Sequence, residues 1–382
     1  MRRKSRSSPA RFLIGALIVF FLAAFILPVL LFEQDPRLYV LGGVAAGAVL
    51  IGGTRLMNRL ASQDRILFVL SVALCALSIL VTALSDPGAG VTQAFRCAGA
   101  LIFMVLGSLL IRVVRPSVVF AMFPAVPAVT LLVLPLLMED PGFRPAFAAV
   151  TLLMVSFVVL LTARKQLFAM LLGLAGTLLL LAQKDAASAA VWSVTFLLLF
   201  WAYSGHPAVL LAGAGFVALS GYGAGLLFPC LFSPADTESV FSAVNPGLFG
   251  LDWSDPLQAA AAAPDASLFA GIAVRYGWIL AACVLMFYPV IIMRGSALAR
   301  ASRSRLHGML AMGAVLLTGL TAVAALFSDF GFRFSPVLPL PGLTCDPVSL
   351  CSFLFLTGLA GGVSVRSQAD LDEEEHIGML AG

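Results

Sequence analysis

Charge is what this sequence has least of. Only 11% of its 382 residues are charged, while 61% are hydrophobic. A soluble domain is about 25% charged and about 45–50% apolar. No water-soluble fold hides that much apolar surface, which excludes soluble enzymes, secreted disulfide scaffolds and disordered chains. Histidine is nearly missing too: His206, His307 and His376 are the only three. No imidazole pair lies inside an apolar run, which argues against haem ligation, a zinc centre or a histidine-based triad. The six cysteines form no CxxC, and there is no HExxH, P-loop or GxGxxG motif. An internal repeat is also missing, which speaks against an inverted-repeat transporter. The net charge of +4 is too small to argue for nucleic acid.

What is present is a series of long apolar runs. They fall near 12–32, 38–54, 66–85, 97–111, 117–138, 146–162, 167–182, 187–203, 207–228, 268–293, 308–328 and 349–365. A membrane-spanning helix needs about 20 apolar residues. The runs are continuous rather than alternating, which selects helices over barrel strands. The expected fold class is therefore an all-α polytopic membrane protein with about twelve transmembrane helices. The first run follows Arg2, Arg3, Lys4, Arg6 and Arg11. It is longer than a signal-peptide core and has no small-x-small site after it, so it reads as an uncleaved span.

Lys and Arg collect in cytoplasmic loops. With the N-terminus inside, 17 of the 23 basic residues are cytoplasmic, and 13 of the 19 acidic residues lie outside. Arg37, Arg96, Arg144, Lys184, Arg275 and Arg333 are the outer cations. An even number of spans puts both termini in the cytoplasm. Two large loops, 229–267 and 329–348, share the outer face, and long loops in a compact protein are usually functional or disordered. The tail 366–382, with Asp372-Glu373-Glu374-Glu375, reads as a solvated, disordered cytoplasmic end.

Carboxylates are the acid–base candidates outside: Asp252, Asp255 and Asp265 in the first large loop, Asp346 in the second, and Asp185 in a short turn. Asp265 precedes the helix starting at 268 by three residues, where a helix cap and a general base are both open to it. Arg275 would lie about 10 Å below the outer end of that helix, facing a cavity or partner, or snorkelling outward. Cys75, Cys97 and Cys283 read as packing residues. A bridge between Cys230 and Cys345, in different outer loops, is chemically permitted, although connectivity cannot be read from sequence.

The C-terminal half resembles a known family. Leu338-Pro339-Leu340-Pro341-Gly342-Leu343-Thr344-Cys345-Asp346-Pro347-Val348-Ser349 resembles the "LPLPFxSYGGSS" loop of the SEDS family (FtsW/RodA/SpoVE). Phe269-Ala270-Gly271-Ile272-Ala273-Val274-Arg275-Tyr276-Gly277 resembles "FAxIAEExG". Ala243-Val244-Asn245-Pro246-Gly247-Leu248-Phe249-Gly250 resembles "AIxSGGLFG", and Gln183-Lys184-Asp185-Ala186-Ala187-Ser188-Ala189 resembles "QPDLGTA". The four matches keep the family's order over roughly 183–366, all on the face that charge alone put outside.

The resemblance implies a ten-helix bundle over 61–366, preceded by a two-helix extension in 1–60 and followed by an acidic tail in 367–382. It implies a bacterial cell-membrane protein of peptidoglycan synthesis, serving cell shape, elongation or division. Such a glycosyltransferase polymerises lipid II at the outer face. A sugar hydroxyl attacks the anomeric carbon of a second substrate and pyrophosphate leaves. A carboxylate must accept the hydroxyl proton, and positive charge must stabilise the leaving group. Asp265 is the residue implied for the first task, standing one position before the family's aspartate. Gln183, Lys184, Asp185, Arg275, Pro339, Pro341 and Ser349 are the implied substrate-binding positions. No metal ligand is implied and no cofactor is required, although a divalent cation is compatible with the chemistry. The implied partners are lipid II or another undecaprenyl-linked substrate, and a class B penicillin-binding protein.

Departures from the family pattern bear on activity. The "EE" pair is Val274-Arg275, the "SYGG" segment is Thr344-Cys345-Asp346-Pro347, and Lys184 stands for the proline of "QPDLG". These losses leave a second reading open: a non-catalytic family member that acts as partner or scaffold for a transpeptidase. A lipid transporter is a third, since helix number alone favours that class.

Overall fold

The computed structural model describes residues 64–85, 87–137, 145–206, 268–330 and 338–380, with single positions between 44 and 52 and between 211 and 248. The expected span 12–32 lies outside these residues, and 38–54 and 207–228 do so but for those scattered positions; Asp252, Asp255, Asp265 and Cys230 lie outside them too. Ten helices are described: α1 Arg65–Ser85, α2 Pro87–Val113, α3 Val118–Leu137, α4 Ala146–Thr162, α5 Gln166–Ala182, α6 Ala186–Ser204, α7 Leu268–Leu285, α8 Phe287–Ala301, α9 Arg305–Asp329 and α10 Pro347–Leu380. Among the described residues, the only extended pairing is a single bridge between Leu340 and Leu343. The all-α expectation holds, and six of the helical stretches are long and apolar enough to cross a membrane.

Short turns between these helices send the chain up and down. Asp64 starts α1 by accepting from the backbone N–H of Ile66 and Leu67, which satisfies two of the donors a helix start leaves open. Its other carboxylate oxygen takes Arg294 from α8 at 2.5 Å. At the same end Arg305 lies over the Tyr203 ring at 4.2 Å and donates to its carbonyl. The loops expected to be cytoplasmic therefore meet at one end of the bundle.

Helices α2 and α10 pack so closely that side chains between them are nearly eliminated. A Cβ on Gly358 would sit 2.1 Å from the Met104 carbonyl oxygen, and one on Gly107 would sit 2.3 Å from that of Phe355. Gly362 meets Ser108 in the same seam. Small residues at such crossings let helices gain dispersion where lipid supplies no hydrophobic drive. A second core joins α4, α5 and α6. Phe157, Trp192 and Phe196 pack with ring centroids 5.9–6.0 Å apart, and Trp192 Nε1 donates to the Gly173 carbonyl at 3.0 Å.

Two expectations change. The run 268–293 is not one straight span: Gly277 takes φ 84° and ψ 173°, breaking α7 into an outer piece and a continuing helix. The long apolar stretch is Tyr276–Ala301. Only glycine reaches that left-handed φ without a Cβ penalty. Arg275 belongs, by its backbone, to the piece before the break. The second change is the tail. α10 continues to Leu380 through the acidic residues, where Glu373-Glu374-Glu375 and two leucines are helix-favouring residues.

Candidate site at one end of the bundle

The loop before α10 is built by local rules. Leu343 N–H donates to the Leu340 carbonyl at 3.0 Å, with Pro341 and Gly342 between them. Gly342 has φ 82°. Proline then glycine at the two central positions is the chemistry of a type II turn. A Cβ on Gly342 would also strike the Phe353 ring at 2.5 Å.

Side chains from two helices then hold this loop by its carbonyls. Tyr288 of α8 donates its hydroxyl to the Pro341 carbonyl at 2.8 Å. Gln93 of α2, fully buried, donates Nε2 to the Thr344 carbonyl at 2.8 Å and to Ser78 Oγ at 3.1 Å. Arg96 of α2 donates Nη1 to the Cys345 carbonyl at 3.0 Å. Gln93 Oε1 is buried without a protein partner among the described residues.

Asp346 starts α10. Its carboxylate accepts from the N–H of Val348 at 3.3 Å and of Ser349 at 2.9 Å. Ser349 Oγ donates to the same carboxylate at 2.5 Å. Pro347 follows at the first helical position, which lacks a needed N–H and suits proline. The residues standing where the family has two glycines thus form an ordinary capped helix start. Asp346 is thus engaged as the cap of α10. Cys345 is a free thiol 3.7 Å from Thr82 Oγ1, and Cys230, its expected partner, lies outside the described residues. Cys75 and Cys97 are buried as expected, whereas Cys283 is exposed.

The other matched turn lies at the same end. After α5, Lys184 N–H donates to Leu181 and Asp185 N–H to Leu180, with Lys184 at φ 61°. This is a left-handed helix stop of the Schellman type. Proline is fixed near φ −65° and cannot adopt that backbone, so Lys184 marks a turn built differently from the family's proline-containing one. Asp185 is buried and caps α6 by accepting from Ser188 N–H at 2.8 Å. Gln183 Nε2 donates to the Leu132 carbonyl of α3.

Pro339 is half-buried, while Pro341 and Ser349 are buried in the loop just described. Asp265 lies outside the described residues, and Arg275 is placed by its backbone only. One contact ties the large outer loop to the break in α7: Ile279 N–H donates to the Leu248 carbonyl at 3.4 Å. Next to it Trp278 stacks on Phe330 with centroids 6.1 Å apart and planes at 4°.

Beside the loop is an apolar groove of about 440 Å³ between α2, α3, α4 and α10. Phe103, Leu106, Leu131, Val348, Cys351 and Phe355 are among its walls. Sequence reasoning missed this groove, together with Gln93 and Tyr288; it placed Arg96 outside by charge but not at this loop. Pro87 at the first position of α2 was the available signal, because it would have drawn Gln93 and Arg96 into a helix.

No family model matches the chain, and no curated protein sequence matches it. Solved structures do. The chain is similar to the Thermus thermophilus rod shape determining protein RodA, at 21% identity and TM-score 0.58, covering 79% of this chain and 97% of that one. An aspartate-to-alanine variant of the same protein aligns at 22% identity and TM-score 0.57, with the same coverage. A chain from a peptidoglycan synthase complex that coordinates polymerization and crosslinking aligns at 20% identity and TM-score 0.60, covering 80% and 99%. At such identity the likeness is one of fold: over nearly the whole length of RodA, this chain folds as RodA does.

Proposed function

We propose that the chain is a divergent SEDS protein of peptidoglycan synthesis that polymerises lipid II at the outer face of the bacterial cell membrane. The observation that carries this reading is the RodA fold over 97% of the Thermus RodA chain, with four family-like segments in the family's order. Asp265 is the proposed base, accepting the proton of the attacking sugar hydroxyl. Lys184 and Arg275 are proposed to bind phosphate oxygens, where charge-assisted hydrogen bonds are strongest. Gln183 and Asp185 shape one turn, and Pro339, Pro341 and Ser349 shape the loop beside the groove. The groove's apolar walls suit the chain of a lipid-linked substrate, and its position next to the loop suits transfer near the membrane surface. A class B penicillin-binding protein is the proposed partner, in line with the synthase complex that shares the fold. Both chain termini are proposed to be cytoplasmic. The test is incubation of purified protein with labelled lipid II, where glycan polymer is expected; a folded protein that forms none, alone or with a transpeptidase, overturns the reading.

One observation favours a second reading, a non-catalytic scaffold. Asp185, Asp346 and Ser349 are used in capping helices, so several polar groups of the matched segments serve the fold. In that case a transpeptidase co-purifies from gently solubilised membranes while polymer is never made.

A further inference from the structure

We propose that Gln93 of α2 and Tyr288 of α8 are positioning residues for the polymerisation reaction: together they hold the 338–346 loop inside the bundle in the conformation that turnover requires. The inference rests on the polymerase reading above. Neither residue belongs to any of the four matched segments, and neither lines the apolar groove.

The loop is sunk into the fold rather than laid over it. Leu338, Leu340, Pro341, Gly342, Leu343 and Thr344 are all buried. A Cβ on Gly342 would meet the Phe353 ring at 2.5 Å, and Phe353 is six residues past Pro347, about 9 Å along α10. Connecting segments usually run over a protein's surface, because buried backbone carbonyls must find donors. Within a membrane layer there is no water to supply them. Here two carbonyls of the loop, those of Pro341 and Thr344, take their donors from side chains of other helices.

Each donor is held in place. Tyr288 is buried, and its hydroxyl reaches the Pro341 carbonyl at 2.8 Å. Gln93 is fully buried, and its amide can face only one way. A carbonyl only accepts, so Nε2 must point at the Thr344 carbonyl, 2.8 Å away. Ser78 Oγ donates its own proton to the Cys75 carbonyl at 2.8 Å, and accepts from Gln93 Nε2 at 3.1 Å. This orientation is what leaves Gln93 Oε1 without a protein partner among the described residues. Gln93 thus ties the loop to α2 and, through Ser78, to α1. Tyr288 ties it to the apolar stretch Tyr276–Ala301, which continues from the break beside Arg275. That stretch follows the Asp265 segment in sequence, so the Tyr288 bond sets the loop against the helix leading from the proposed base. A misplacement of about 1 Å at a reacting site is enough to cost about 100-fold in rate.

The test compares Tyr288→Phe and Gln93→Leu with Thr177→Val, each in the full chain in detergent. Thr177 is the control: its buried hydroxyl also bonds a carbonyl, that of Gly173 at 3.1 Å, but within α5 and beside Ser193 of α6. Two quantities are read. One is the maleimide labelling rate of Cys345, a half-buried thiol of the loop, followed by peptide mass. The other is kcat and KM for polymerisation of labelled lipid II. Loss of one hydrogen bond shifts a local opening about five- to tenfold. Both loop variants are therefore expected to label Cys345 about five- to tenfold faster than the wild type, and Thr177→Val at the wild-type rate. Both are also expected to lose at least about tenfold in kcat with KM within about twofold, the pattern of a lost orientation and not of a lost substrate contact. Tyr288→Phe keeps the ring and carries the test should Gln93→Leu fail to fold. Labelling of the loop variants at the wild-type rate overturns the inference. So does an unchanged kcat, whether or not KM rises, and so does an equal fall in kcat for Thr177→Val, which marks a general loss of stability. A wild type that makes no polymer overturns the polymerase reading instead; faster labelling confined to the two loop variants then sustains the positioning of the loop, and unchanged labelling overturns that as well.

Discussion

Replacing Gly358 with alanine forces α2 and α10 apart. The added Cβ would meet the Met104 carbonyl oxygen at 2.1 Å, with backbone atoms of Met104 at 2.9 and 3.0 Å. A carbon settles against a carbonyl oxygen no closer than about 3.3 Å. The seam must therefore open by about 1.2 Å at this point, and the neighbouring contacts at Gly107 and Gly362 open with it. Nothing flexible is available to move, because the obstacle is helix backbone. Overpacking of this kind costs about 1–3 kcal/mol. Gly99, also on α2, is the matched control: a Cβ there meets nothing within 4 Å, and alanine is favoured in a helix interior by up to about 1 kcal/mol. Thermal unfolding in one detergent, followed by tryptophan fluorescence, compares the two. Gly358→Ala is expected to unfold at lower temperature than the wild type, and Gly99→Ala at the same or higher. Equal behaviour of the two variants refutes the packing argument.

Three further outcomes follow from the outer end. Gly342→Ala combines a left-handed φ with a clash against Phe353; a stability loss of about 2–4 kcal/mol is expected, with faster maleimide labelling of Cys345 as the loop loosens, and an unchanged labelling rate contradicts it. Lys184→Gly relieves the left-handed strain and is expected to stabilise by about 1 kcal/mol, while weakening lipid II binding if the ammonium contacts phosphate; a loss of stability in denaturant unfolding contradicts the turn assignment. Asp185→Asn keeps the helix cap and is expected to leave stability and polymer synthesis near wild type, whereas Asp185→Ala costs about 1 kcal/mol. Full stability of the asparagine variant with loss of polymer would show that the substrate needs the charge.

Much of the fold was legible because apolar runs carry it. The expected 146–162 became Ala146–Thr162, and 167–182 became Gln166–Ala182. Charge alone put the matched loops on one face, and the ends of the described helices alternate accordingly. The break at Gly277 was not legible. A glycine within an apolar run is tolerated in a straight helix, and only its surroundings fix a positive φ. The start of α2 was missed because Thr92, Gln93 and Arg96 interrupt the apolar pattern, although Pro87 marks a helix start. With α2 begun ten residues late, the side chains that hold the 338–346 loop stayed out of sight. Asp346 followed by Pro347 is likewise readable as a capped start, a carboxylate before a proline at the first helical position.

The proposed polymerisation of lipid II by this RodA-fold chain depends on an outer-loop carboxylate. The most direct measurement is the yield of glycan polymer from labelled lipid II for the wild type, Asp265→Asn and Asp252→Asn, each shown to be folded by its unfolding temperature. The account predicts polymer from the wild type and from Asp252→Asn, and a fall of at least about 100-fold for Asp265→Asn, as expected for loss of a general base. Undiminished polymer from Asp265→Asn would contradict it.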